Sequence, residues 1–163
     1  MKTISLWQPW ASAIAVGAKR IETRGWYTGY RGPLAIHAAK RCVKAEMIEF
    51  GCSWLWRGAL AFMGDRPLHQ VLPFGTIVAI CELVDCRPTE SFSVEELDRE
   101  RWQPGTIKSP HNFWTERDMG DFHPGRWGWI LDHVTSLTYP LPYKGMQGFF
   151  DVPEHLLEGR FDA

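Results

Sequence analysis

Thr3-Ile-Ser-Leu-Trp-Gln-Pro-Trp-Ala-Ser-Ala-Ile-Ala-Val-Gly-Ala-Lys-Arg-Ile-Glu-Thr-Arg24 is the stretch that decides how this chain is read. Thr3 to Trp7 alternates and is β-prone. Gln8-Pro9 breaks the alternation, and Pro9 suits the first turn of a helix. Trp10 to Val16 is rich in alanine, with Ile14 and Val16 to bury. Gly17 stands where such a helix stops. Lys19 to Arg24 follows as a strand carrying four charges, Lys19, Arg20, Glu22 and Arg24. A strand so charged has at least one wet face. Beside a helix that reads as buried, its charges are expected to line a cleft rather than an open surface.

Working outward, Gly25 to Gly32 holds Trp26, Tyr27, Tyr30 and Arg31 among glycines and reads as an exposed loop or loose hairpin. Aromatics interleaved with arginine can stack on bases and neutralise phosphate. Equally, Trp26 and Tyr30 can fold back as a lid on the core. Pro33 to Ala38 is an apolar strand ending in His37, well placed for a pocket or for a structural hydrogen bond. Ala39 to Phe50 reads as a helix with Lys40, Arg41 and Lys44 off its apolar face. Residues 52–72 read as a tryptophan-rich helix ending near Gly64, then a loop through Pro67 and Pro73. Gly75 to Cys86 is nearly continuous in apolar residues and is expected to be a central strand. Glu82 within it must face water or be paired.

Residues 87–122 differ: eight acids, five basic residues and the breakers Pro104-Gly105, Ser109-Pro110 and Gly120. They read as an extended, partly irregular insertion, with a capping-box helix start at Ser93–Glu96. Arg126 to Leu137 alternates as a strand, with Trp127, Trp129 and Leu131 on one side. Tyr139-Pro-Leu-Pro142 is expected to turn the chain. Gly145 to Val152 is expected to be the last strand, and Pro153 to Leu157 a short helical tail. Several strands with helices early and late give an α+β class, and 163 residues suit one domain spanning 1–163.

Hydrophobic content of 45% and charged content of 23% are those of an ordinary soluble protein. No apolar run reaches membrane-spanning length, and the N-terminus has no signal-peptide pattern. No membrane partner is expected, and the expected location is cytoplasmic. Cys42, Cys52, Cys81 and Cys86 form no Cys-x-x-Cys pair, so neither a metal nor another cofactor is expected. Net charge is −1, yet residues 1–44 hold eight Lys or Arg against the single acid Glu22. Such polarity between segments fits an anionic ligand, or else basic residues that pair with the acidic remainder.

Gly17-x-Lys19-x-x-Glu22-x-Arg24, after a Gln-Pro-Trp helix start, resembles the signature of the ASCH family. The resemblance continues through Leu34–Lys40, Gly75–Leu83, Gly125–Leu131 and Lys144–Phe149. It implies a PUA-like small β-barrel flanked by helices, of a kind associated with RNA, and it implies that the charged motif lies in the cleft. One bacterial branch of the family hydrolyses the acetyl amide of acetylcytidine with a threonine nucleophile, a lysine and a distal glutamate. The lysine matches Lys19, but the threonine position is Glu22 here, and Thr23 is expected to face the other way. Another branch is described as ribonuclease.

The candidate catalytic residues are therefore Lys19, Glu22 and Arg24. A carboxylate among cations can act as a base, and the cations can hold phosphate or polarise a carbonyl. Candidate nucleic-acid contacts are Gln8, Trp26, Arg31, His37, Lys40 and Arg41. The partner expected is RNA or a modified nucleoside. Three functions stay open: a binding module for that partner, a small hydrolase on the same ligand, and a protein-interaction scaffold.

Overall fold

The computed structural model describes residues 1–40, 72–98 and 115–160. The expected helices at 39–50 and 52–64, with Arg41, Cys42 and Cys52, lie outside these residues except for Ala39 and Lys40. Six strands form one sheet: β1 (Lys2–Leu6), β2 (Ile21–Arg24), β3 (Gly32–Ala38), β4 (Thr76–Pro88), β5 (Trp127–Pro142) and β6 (Phe149–Asp151). The order is β2-β5-β4-β3-β1-β6. β1 and β3 run parallel, and the other neighbours are antiparallel. The sheet curls into a half-barrel with a few helices, within the α+β class expected.

Alternation divides the side chains between two faces. On one face Ile4, Leu6, Leu34, Ile36, Leu83, Trp129 and Leu131 form the main core. α1 (Trp10–Ala15) covers this face and contributes Ala11 and Ile14 to the same core. The other face carries two smaller cores. One, at the β1–β6 end, holds Ala35, Ile77, Leu141 and Phe150. The other lies at the β2 end, where Ile21 packs against Phe92 and Leu97. Leu97 comes from α2 (Val94–Asp98), whose start has the expected capping box. Ser93 N donates to Glu96 Oε2 at 2.8 Å, and Glu96 N to Ser93 Oγ at 3.2 Å. A further helical turn, α3 (Glu116–Met119), sets Met119 against Ala13 and Ala18. Both described ends of the 87–122 stretch are therefore ordered and packed on the sheet.

Four expectations are corrected. The charged strand begins at Ile21, not Lys19, because the chain after Gly17 (φ +75°) is still in the turn that closes α1. Val16 is exposed, so α1 buries Ile14 without it. Tyr139–Pro142 does not turn: β5 runs through it to Pro142. β2 pairs β5 only over Trp127–Ile130, so the later part of β5 is an edge on that side, where proline is tolerated. The last strand is only Phe149–Asp151, and Lys144–Gly148 is loop. A Cβ at Gly145 would lie 2.4 Å from the His37 ring, so glycine lets this loop rest directly on β3.

The long β4–β5 ladder slips register three times, once opposite His133, whose φ of 48° marks a bulge. Cys81 is a core residue, with burial pushing its thiol up to about 12. Glu82 is half-buried, so this carboxylate takes the wet option.

Candidate functional site

The site grows from a buried apolar residue. Trp129 of β5 is fully buried and pairs directly with Glu22 of β2. Residues paired across a ladder share a face, so Glu22 projects on the α1-covered face. Arg24 pairs with Trp127 and projects the same way. Lys19 reaches the same place from outside the strand. Its Nζ donates to Ile21 O at 2.5 Å and to Met119 O at 2.7 Å, and lies 3.4 Å from Glu22 Oε2. At 1% exposure this ammonium has exchanged water for two carbonyls and a carboxylate. That is the full complement for its three donors.

Arg24 closes the cluster. Its Nε lies 3.4 Å from Glu22 Oε1, and Nη2 donates to Ser5 O at 2.9 Å. Burial pulls the Arg24 pKa below its ordinary value, the Glu22 charge opposes this, and Arg126 adds to the lowering. The buried Nε makes no hydrogen bond, and Nη1 has no partner among the described residues. The Glu22 carboxylate is thus bridged by two cations, and one of them keeps unused donor capacity.

α3 supplies the wall behind this cluster. Glu116 is fully buried and accepts from Arg20 N at 2.7 Å and Ile21 N at 3.1 Å. These amides lie where β2 begins, at the edge of the sheet, and a buried edge amide needs an acceptor. Met119, on the same turn, gives its carbonyl to Lys19. Sequence reasoning missed Glu116. The available signal was Thr115-x-x-Asp118, a capping box that is formed here and marks a helix start, though not what that helix holds.

Aromatic side chains stand beside the cluster. Trp26, 38% exposed, sits edge-on to Trp129 at 4.6 Å and to Phe149 at 5.4 Å between ring centroids. Trp129 Nε1 donates to Trp26 O at 3.4 Å. Tyr27, also exposed, lies edge-on to Trp127. Trp129 is therefore the common neighbour of the ionic cluster and the aromatic wall.

The other candidates lie elsewhere. Gln8 is buried at the start of α1: Oε1 accepts from Ser12 N, and Nε2 donates to Ser12 Oγ and Pro73 O. His37 is on the opposite face of the sheet, between Ser5 Oγ and Tyr143 O, each at 3.0 Å. It is not brought together with Glu22. Arg31 Nη1 donates to Thr28 O and Tyr30 O, and Nη2 to Asp85 Oδ1. Lys40 is exposed. Thr23 does face away from Glu22 and accepts from Asp121 N at 2.9 Å. The basic N-terminal segment is partly neutralised, since Lys2, Arg20 and Arg31 pair with Asp151, Asp132 and Asp85. No cluster of three or more His, Cys, Asp or Glu with metal-binding potential occurs among the described residues.

Comparison with known proteins bears on these observations. Activating signal cointegrator 1 of Homo sapiens and of Mus musculus are each 37% identical over 97 residues, covering 58% of this chain. The match spans 16% of the length of those relatives. Among solved structures, an ASCH protein from Zymomonas mobilis superposes with a TM-score of 0.49 at 13% identity, covering 95% of this chain and 89% of that one. The family model described as the ASCH domain matches residues 4–113, which include the charged strand and β3 and β4, and the chain belongs to the ASCH domain family.

Proposed function

We propose that this chain binds RNA or a modified nucleoside on the α1-covered face of β2, at Glu22 and Arg24 beside Trp26. The observation that carries the reading is the meeting, at Trp129, of a held guanidinium with unused donors and an exposed indole. Arg24 can donate to a phosphate or a base carbonyl, Glu22 can accept from an exocyclic amine, and Trp26 can offer a stacking surface. Lys19 holds the Glu22 carboxylate in place from beneath. The family is generally RNA-binding, which supports the same reading. Lys40 and Arg31 are proposed as flanking phosphate contacts.

Titration of cytidine, acetylcytidine and a short single-stranded RNA tests this. Trp26→Ala is expected to weaken every ligand together, by roughly 1–3 kcal/mol for a lost stacking surface. Arg24→Gln is expected to weaken the RNA and to lower the salt slope by about one. RNA affinity that does not depend on salt, or that survives both substitutions, rules the site out. Hydrolysis is read in the same samples: acetylcytidine turnover lost in Glu22→Gln, with binding retained, converts the binding module into an amidohydrolase. No affinity for any of these ligands leaves the interaction-scaffold reading.

A further inference from the structure

Tyr27 is an exposed ring to which the binding site gives no task. It is 53% exposed, against 38% for Trp26, and its centroid lies 4.8 Å from that of Trp127. Consecutive residues of an extended chain project to opposite sides. Here the chain bends at Gly25 and Trp26, just past the end of β2, and the two rings come down on the same side. Trp26 packs on Trp129 and Tyr27 on Trp127, and both tryptophans belong to the face that carries Glu22 and Arg24. These two tryptophans are two residues apart on β5, about 7 Å along the strand. Bases in a helical stack rise by only about 3.4 Å each. The rings seated on them are therefore spaced for two bases drawn apart, not for a stacked pair.

A second guanidinium stands beside Arg24. Arg24 pairs with Trp127, and Arg126 is the residue before it. Arg126 Nη2 donates to Thr23 O at 3.4 Å, and Nε donates to Asp121 O at 3.1 Å and lies 3.2 Å from Asp121 Oδ2. Its Nη1 has no partner among the described residues. The charge of Arg126 is near enough to add to the lowering of the Arg24 pKa. Each guanidinium rests on backbone carbonyls and faces one carboxylate, Glu22 or Asp121. What the pair offers is free N–H groups, enough for a singly charged phosphate, rather than a large net charge.

We propose that this face takes a dinucleotide step of single-stranded RNA, one base on Trp26 and the next on Tyr27, with the phosphate between them at Arg24 and Arg126. The proposal rests on the RNA reading of the same site and takes the strand, not the free nucleoside, as its substrate class. A nucleoside has one base and occupies one ring, which leaves Tyr27 and the Arg126 donor idle. Stacking on an aromatic ring is tolerant of base identity, so the two rings set how many bases are held, and Glu22 and Arg24 choose among them. Each ring is already packed against a tryptophan, so little side-chain freedom is lost when a base arrives. A base must leave its neighbours before it can lie on a ring of its own. A duplex, whose bases are stacked and paired, is therefore refused.

The test uses the full chain and calorimetric titration of cytidine, of the cytidine dinucleotide with one internal phosphate, and of a mixed-sequence RNA hexamer, alone or annealed to its complement. Wild type is expected to bind the dinucleotide about tenfold more tightly than cytidine, the gain of one stacked base. Tyr27→Ala is expected to remove that gain, weakening the dinucleotide about tenfold and cytidine by less than about twofold. Tyr27→Phe keeps the ring and is expected to keep the gain. Arg126→Gln is expected to weaken the dinucleotide more than cytidine and to reduce the salt dependence of its affinity. The annealed hexamer is expected to bind about tenfold more weakly than the single strand, or worse. Thermal unfolding of each variant checks that it is folded. Three results each overturn the dinucleotide step and leave the nucleoside reading of the Arg24–Trp26 site standing: equal wild-type affinity for cytidine and the dinucleotide, equal losses of both in Tyr27→Ala, or a duplex bound as tightly as the single strand. A wild type with no affinity for any of these ligands overturns the RNA reading, and the dinucleotide step with it.

Discussion

Lys19 and Arg20 are consecutive, carry the same charge, and live in opposite worlds. Lys19 is 1% exposed, held by two carbonyls and Glu22. The Arg20 side chain is 44% exposed and, among the described residues, makes one ion pair, with Asp132. The first sits among groups that have all given up water, so each depends on the others. The second exchanges its partner for solvent at almost no cost. The two sides of β2 therefore show that a basic motif in a sequence is not one electrostatic object. One part is architecture that positions Glu22 and Arg24, and another is surface available to a ligand.

The largest effect is expected on the buried side. Lys19→Met keeps the apolar stem but leaves two buried carbonyls without their donor and Glu22 with Arg24 as its remaining cation. Breaking a buried pair from one end costs about 3–5 kcal/mol, and urea denaturation should show a loss of that order. Adding Glu22→Gln should not recover the loss, because Arg24 then loses its carboxylate as well. A Lys19→Met protein as stable as wild type would erase the contrast between the two sides. Glu116→Ala should come next. It strands the amides of Arg20 and Ile21, and at about 1–3 kcal/mol for each buried donor the loss should be about 2–6 kcal/mol. Exchange of the Ile21 amide should quicken in step, which a mere cavity at Glu116 would not require.

A third kind of burial sharpens the comparison, that of a neutral ring. His37 is enclosed by Ser5, Tyr143 and Phe150. Burial pulls its pKa below the ordinary 6.5, opposed by the hydrogen bond to the Tyr143 carbonyl. The unfolded chain then takes up a proton that the native state resists. This contribution to stability is complete above about pH 6.5 and is lost as pH falls from there through the folded-state pKa. Melting followed between pH 7.5 and 5.5 should show the decline, and His37→Gln should flatten it. A decline equally steep in the variant would assign it to other groups. The smallest effect belongs to the exposed side. Arg20→Ala should change stability by about 0–1 kcal/mol, less at high salt. A larger loss by denaturation would mean that the Arg20–Asp132 pair is structural after all.

Local chemistry made much of the frame legible. Alternation in Thr3–Leu6 and in Trp127–Leu131, the alanine-rich turn stopped by Gly17, and the Ser93–Glu96 capping box each act over a few residues. Strand period placed Glu22 and Arg24 on one face and turned Thr23 away. Errors fell where a neighbour from elsewhere set the outcome. Proline at 140 and 142 signals a turn only until one knows that β2 has already ended and left β5 an open edge. His37 ends an apolar strand as expected, but the Lys144–Gly148 loop covers it on the far face, away from Glu22.

The sequence by itself determined roughly where the strands lie, though not where three of them begin or end, where the first helix stops, and that a lysine, a glutamate and an arginine recur at spacings that let them meet. Those facts follow from dihedral preference and side-chain period, which are properties of adjacent residues. Only the tertiary structure decided that Lys19 is buried while Arg20 is not, that Glu116 and Met119 close the cluster from about a hundred residues away, and that Trp129 joins charge to aromatic wall. The burial of an ion depends on every group that replaces its water, and here those groups come from α3 as well as β2, brought together by folding alone.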